Sequence, residues 1–293
     1  MPATGSKGHL AMDETSMVAA HFDWRMTESF NMSIQLSLDG LSFCILDPVT
    51  NVYQALTDVR LAEPDPFYAK QEEYILNSRA LNRKYRKVQI CVDSPTYTMM
   101  PISLYDESRI GSVIALTGIK VGADDKLLRN DIELANSTTA FGIPNFLYFF
   151  LKTQFPNAEI FHATTPVISS LLLKRQGYAS GACVSVIMSS ADRMTIVATE
   201  DNELKLCNTF YCKEVNDYVY MLLFAMEQLR FDVAHTHISV SGDVSEMGQK
   251  MRLLRRFIPM IELSQPPSFF DYAFAMPENP HKFNTLFLIP LCV

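Results

Sequence analysis

The sequence predicts an α/β chain built of two similar halves, each a mixed sheet flanked by helices. Three observations carry that prediction. At 293 residues the chain exceeds the size at which one hydrophobic core keeps growing, so two domains are expected. Hydrophobic residues make up 48% of it and charged residues 19%, the balance of a folded globular protein. Finally, an order of three strands, a helix and a strand over residues 34–92 recurs over 182–240.

Residues 1–29 are polar and mixed in charge, with no apolar core before a small-residue cleavage site. They read as a disordered or loosely attached tail without a secretory signal. A first lobe is expected over 30–180 and a second over 181–293. Ile34–Leu38 alternates apolar and polar residues as a half-buried strand does, and Asp39-Gly40 turns it into Leu41–Leu46. The turn cluster 47–51 leads to a third strand, Val52–Leu56. A helix is expected from Phe67 to Leu81, then a buried strand, Val88–Val92. Residues 93–105 run extended through Pro95 and Pro101. The spacing over 110–121 is ambiguous, although Val113–Leu116 would suit a strand. A strand through Leu134 and Thr138–Phe141 precedes a helix, Asn145–Thr153. A further helix, Pro166–Arg175, is closed by Gly177.

The second half begins in the same way. Strands Ala182–Met188 and Arg193–Ala198 flank a turn, and Glu203–Phe210 is the third strand. A long helix, Glu214–Arg230, places Tyr218, Val219, Leu222 and Met226 on one face. Strand Thr236–Val240 then turns through Ser241-Gly242-Asp243 into a helix ending near Phe257, and Ile258–Leu263 is a final strand. Phe283–Ile289 reads as a helix docking on the core. Antiparallel meanders that go on to alternate with helices give mixed sheets covered by helices, and two such lobes leave a cleft between them.

Several function classes lose support. A net charge of −7 gives no electrostatic footprint for nucleic acid. The basic runs Arg83–Lys87 and Lys250–Arg256 read as solvated helix ends. No apolar stretch reaches the roughly 18 to 20 residues that span a bilayer. The six cysteines lack C-x-x-C or zinc-site spacing, and read as buried free thiols of a cytoplasmic protein. His235 and His237, two apart on a strand, would share a face and could share a metal, but no third ligand is identifiable. Gly-x-Ser-x-Gly, Gly-x-x-x-x-Gly-Lys and His-Glu-x-x-His are all absent. Asp93-Ser94-Pro95, which ends a buried strand abruptly, reads as a turn with a ligand role as the alternative.

The element order, with phrases such as Val92-Asp-Ser-Pro-Thr-Tyr-Thr-Met-Met-Pro101 and the C-terminal His281-Lys-Phe and Leu291-Cys292, resembles a known group. It is similar to a bacterial family of unknown function within the actin-like ATPase superfamily, whose two ribonuclease H-like lobes arose by duplication and bind nucleotide in their cleft. The resemblance implies an Asp-x-Gly-Thr/Ser hairpin in each lobe. There the carboxylate holds magnesium through water, while the glycine and hydroxyl let backbone amides close on phosphate.

This sequence departs from that pattern. In Ser37-Leu-Asp-Gly-Leu-Ser42, Asp39 abuts Gly40 with no intervening residue, and alignment by the strand puts Ser37 where the acid belongs. The second hairpin, Ser189-Ser-Ala-Asp-Arg193, has no glycine, and Arg193 reads as a surface charge or a phosphate-attracting cation. Ser241-Gly242-Asp243 stands where the adenosine-side Gly-Gly loop would be. A helix N-terminus there would suit an anion, but Asp243 and Glu246 have capping-box spacing that would fill it.

The expectation is a non-catalytic actin-like binding or scaffold module. It would need no cofactor, bind no nucleic acid, insert in no membrane, and use the cleft or lobe surface for a protein partner. Two rivals stay open. A divergent ATPase or kinase-like protein would bind Mg-ATP through Asp39, Gly40, Ser42 and Gly242. A homo-oligomeric structural protein would assemble through Tyr148-Phe149-Phe150 and Phe269-Phe270-Asp-Tyr272.

Overall fold

The structure, a computed structural model, describes residues 12–174, 181–190 and 192–292. The helix-closing role expected of Gly177 lies outside the described residues. In the first half, strands β1 (Met12–Val18), β2 (Asn31–Ser37), β3 (Gly40–Asp47) and β4 (Val52–Leu61) precede α1 (Ala69–Asn77) and β5 (Lys87–Val92). An inserted unit follows, made of β6 (Tyr97–Pro101), α2 (Ile110–Leu116), β7 (Asp125–Ile132) and β8 (Ser137–Pro144). Helix α3 (Asn145–Gln154), β9 (Glu159–His162) and α4 (Thr164–Lys174) complete this half. The second half runs β10 (Ala182–Ser189), β11 (Arg193–Glu200), β12 (Glu203–Tyr211), α5 (Val215–Leu229), β13 (His237–Gly242), α6 (Gln249–Phe257) and β14 (Ile261–Leu263). A short β15 (Asp271–Tyr272) and α7 (Asn284–Leu288) close the chain.

Both halves have one sheet topology. The shared strand order is β4-β3-β2-β5-β9 in the first, where β1 adds beyond β4, and β12-β11-β10-β13-β14 in the second. In each, the first three strands form an antiparallel meander and the last two join in parallel. The repeat read from the sequence is therefore a repeat of topology. The first half differs by its insertion, a three-stranded sheet ordered β6-β8-β7.

Apolar alternation explains the two main cores. Met32, Ile34 and Leu36 of β2, with Ile90 and Val92 of β5, pack beneath Ile75 of α1 and Leu147 and Leu151 of α3. In the second lobe Val184, Val186 and Met188 meet Tyr218, Leu222 and Met226 of α5 and Met251 and Leu254 of α6. Each such side chain contributes about 1.5–3 kcal/mol when fully buried.

Some elements differ from the sequence expectation. Residues 12–18 of the expected tail form β1, a mostly exposed strand held by its backbone ladder to β4. Helix α1 stops at Asn77, where the Asn82 side-chain amide donates to the carbonyls of Ile75, Leu76 and Ser78. Residues 110–116 form a helix rather than a strand, because Ile110 and Ile114, one turn apart, are both buried. Leu134 lies in a single 3-10 turn. Strands β7 and β9 were not foreseen.

The C-terminal segment reaches back to the first half. β15 pairs in parallel with β4 of the first lobe, and Phe283, Leu286 and Phe287 pack on Cys44, Tyr53 and Leu56 there. The buried Tyr53 hydroxyl donates to the Phe287 carbonyl at 2.8 Å. The same segment holds the second lobe through buried His281, whose Nε2 donates to the Val244 carbonyl at 2.7 Å. The last residues thus lace the two lobes together.

Candidate functional site

The interlobe cleft is bordered by the strand ends that the duplicated topology brings face to face. The β2–β3 and β10–β11 hairpin tips come from opposite lobes, and the chain leaving β5 at Asp93 faces the end of β13 at Gly242 and Asp243. All four sequence-nominated residues, Asp39, Gly40, Ser42 and Gly242, lie in this lining.

The tips touch. The Ser190 hydroxyl donates to Asp39 Oδ2 across the cleft at 2.7 Å. Asp39 also accepts from the Ser37 hydroxyl at 2.5 Å and from Arg60 Nη1 at 2.9 Å. Burial works to raise the Asp39 pKa, but the Ser37 and Ser190 hydroxyls and the Arg60 guanidinium together outweigh it and hold the carboxyl below its ordinary value. Ser42 donates to Asp58 at 2.6 Å, and Asp58 also accepts from Arg60 Nε at 3.1 Å. Ser37, Asp39 and Ser42 of the first hairpin and Asp58 of β4 are thus matched within the protein.

The two glycines have a packing reason. Gly40 has φ +150°, and a Cβ there would lie 2.0 Å from the Val59 carbonyl oxygen on β4. Gly242 has φ +87°, and its Cβ would lie 2.1 Å from the Met188 carbonyl oxygen on β10. In both lobes a neighbouring backbone occupies the space a side chain would need. The helix after Gly242 begins only at Gln249, with Gly248 before it, so Asp243 and Glu246 form no capping box. Glu246 instead pairs with Arg255.

Arg193 corrects the surface reading. Its side chain is 7% exposed, and its Nη2 donates to Asp93 Oδ2 at 2.7 Å across the cleft. Asp93-Ser94-Pro95 thereby supplies more than a turn: its carboxylate receives the second lobe's arginine. Tyr97 adds another bridge, sharing a hydrogen bond with Thr209 Oγ1 at 2.8 Å. The free space left among these groups is about 80 Å³.

Sequence reasoning missed His162, at the end of β9. The ring is 2% exposed, lies 4.3 Å from the Tyr97 ring, and is flanked by Phe141. Burial lowers its pKa to about 4, against an opposing hydrogen bond to the Ser94 backbone. The Ser94 carbonyl, 2.9 Å from Nε2, can only accept, so Nε2 carries the proton and Nδ1 accepts from the Thr164 hydroxyl at 2.7 Å. The signal available was a histidine ending a four-residue strand, which carries no periodicity.

The remaining candidates separate. His235 precedes β13 and pairs with Asp232 at 2.6 Å, whereas His237 pairs with Glu262 at 2.9 Å. Among the described residues no three His, Cys, Asp or Glu side chains gather as a metal site would need. Cys44, Cys91, Cys212 and Cys292 are buried thiols. In the aromatic segments Phe149 is 60% and Phe269 42% exposed, while Phe270 is buried. No helix among the described residues is long and apolar enough to cross a membrane.

A Bacteroides thetaiotaomicron protein with an actin-like ATPase fold and unknown function is 25% identical, with a TM-score of 0.73 over 84% of this chain and 94% of that one. A structure of the PilM–PilN type IV pilus biogenesis complex is similar at a TM-score of 0.57 and 10% identity, over 89% of this chain and 97% of that one. Among curated proteins, none matches the chain. The two-lobed fold is that of the actin-like ATPases. A family model described as protein of unknown function, DUF3822, matches residues 19–261, and the chain belongs to that family.

Proposed function

We propose that this protein is a non-catalytic actin-like binding module whose interlobe site is closed by its own side chains. The observation that carries the proposal is the Ser190–Asp39 hydrogen bond joining the two hairpin tips at 2.7 Å. A magnesium-bound triphosphate would need those tips apart and the Asp39 carboxylate turned to the ion's water shell. Asp39 instead serves two hydroxyls and a guanidinium, and Arg193 is held by Asp93. The free space of about 80 Å³ compares with roughly 300–1,000 Å³ for pockets that enclose drug-sized ligands. The donor set and the volume both argue against Mg-ATP.

A fold released from nucleotide chemistry is left with its surfaces, which supports a scaffold role for a protein partner. A protein similar in fold occurs in the PilM–PilN type IV pilus biogenesis complex, a setting that fits that role. Isothermal titration of the full chain with Mg-ATP tests the proposal, and no heat of binding at millimolar nucleotide is expected. Low-micromolar binding, lost in both Asp39→Ala and Ser190→Ala proteins that still fold, would overturn it in favour of a divergent ATPase.

A further inference from the structure

A groove of about 710 Å³ lies between the inserted sheet of the first lobe and the outer strand of the second-lobe sheet. Its walls are two sheet edges. Strand β6 pairs only with β8, and β12 only with β11, among the described residues. The Tyr97–Thr209 hydrogen bond ties the two walls together. Thr209 also shows how the β12 edge is used. Its backbone N–H is satisfied by the side chain of the preceding residue, Asn208 Oδ1, at 2.9 Å. A main-chain donor met by a local side chain rather than by a strand is one that an incoming backbone can take over.

We propose that this groove binds an extended peptide segment of a partner protein, which adds as a strand to β12 or β6. The proposal deepens the binding-module reading and rests on it, naming the surface and the partner's chemistry. Strand addition draws affinity from main-chain hydrogen bonds and specificity from alternate side chains. The groove suits both. Cys207–Tyr211 along one wall spans about 13–16 Å at about 3.3 Å per residue, room for four or five residues of peptide. Met99 and Cys207, both partly buried, give the lining apolar surface, and Thr96, Thr98 and Thr117 offer hydroxyls. Lys120 is the one charged side chain in the lining, and it is exposed. In a chain of net charge −7, that lone cation selects a peptide with an acidic side chain or a free carboxylate beside it.

The test uses the full chain and random linear dodecapeptides displayed on phage. The strongest selected sequence is synthesised unmodified and with alternate backbone amides methylated. The unmodified peptide is expected to carry an acidic residue and to slow amide exchange at 97–101 or 207–211. Methylation should weaken binding at least about tenfold, the loss of one to two net hydrogen bonds. Lys120→Glu, an exposed change, should weaken it about threefold. Failure to select any peptide, equal affinity of the methylated form, or protection confined elsewhere, such as the exposed Tyr220–Phe224 face of α5, would each overturn the proposal. None of these outcomes bears on the Mg-ATP titration, so the two readings fail separately.

Discussion

Arg193 of the second lobe donates to Asp93 of the first at 2.7 Å, with the arginine side chain 7% and the carboxylate 25% exposed. Removing one partner of a pair this enclosed leaves a charge without compensation, whereas removing both does not. Arg193→Ala is expected to lower stability by about 2–3 kcal/mol, discounted for the part-exposed carboxylate. Arg193→Ala with Asp93→Ala should cost less than the sum of the single changes by urea denaturation. Additive losses would mean that the pair does not couple the lobes.

The cleft glycines give a second expectation. Gly40→Ala and Gly242→Ala each place a methyl within 2.1 Å of a neighbouring carbonyl oxygen, at positive φ. Each should cost more than about 2 kcal/mol, read as a drop of several degrees in the melting temperature. Variants with unchanged melting temperatures would return these glycines to a ligand-facing role.

His162 makes a pH prediction. Its folded pKa of about 4 lies below the ordinary value of 6.5. The unfolded chain therefore binds the proton more readily between those values. The contribution of the neutral ring is whole above pH 6.5 and is lost as pH falls towards 4. The full window amounts to about 3 kcal/mol. His162→Gln should flatten the stability profile between pH 6.5 and 4, and a profile as steep as the parent's would place the titration elsewhere.

The lacing of the lobes can be tested at Tyr53. Tyr53→Phe deletes the hydroxyl that satisfies the buried Phe287 carbonyl and is expected to cost about 1–2 kcal/mol. Limited proteolysis should then cut the C-terminal segment sooner. Cleavage unchanged in site and rate would show that this bond does not hold the segment.

Much of the fold was legible because its strongest elements obey one period each. Ile34–Leu46 with its Asp39-Gly40 turn, and the apolar face of α5, are set by local pattern, and so is the repeated order they anchor. Elements stabilised from elsewhere were not legible. β1 is mostly polar and depends on the ladder to β4, β9 has four residues, and α2 is composed like a strand but is made helical by packing. At the site, the departures in the hairpin side chains were visible, but their partners were not. Asp39 meets Ser190 from 151 positions away and Arg193 meets Asp93 from 100, separations that no local spacing encodes.

The return of the C-terminal segment to the first lobe sets an order on biosynthesis. Tyr53 waits for a residue 234 positions later, which at 5–20 residues per second takes roughly 10 to 50 seconds of translation. Until then the aromatic pocket around Tyr53 on the first lobe stays open, a hydrophobic surface that a chaperone would have to shield while the ribosome finishes the chain.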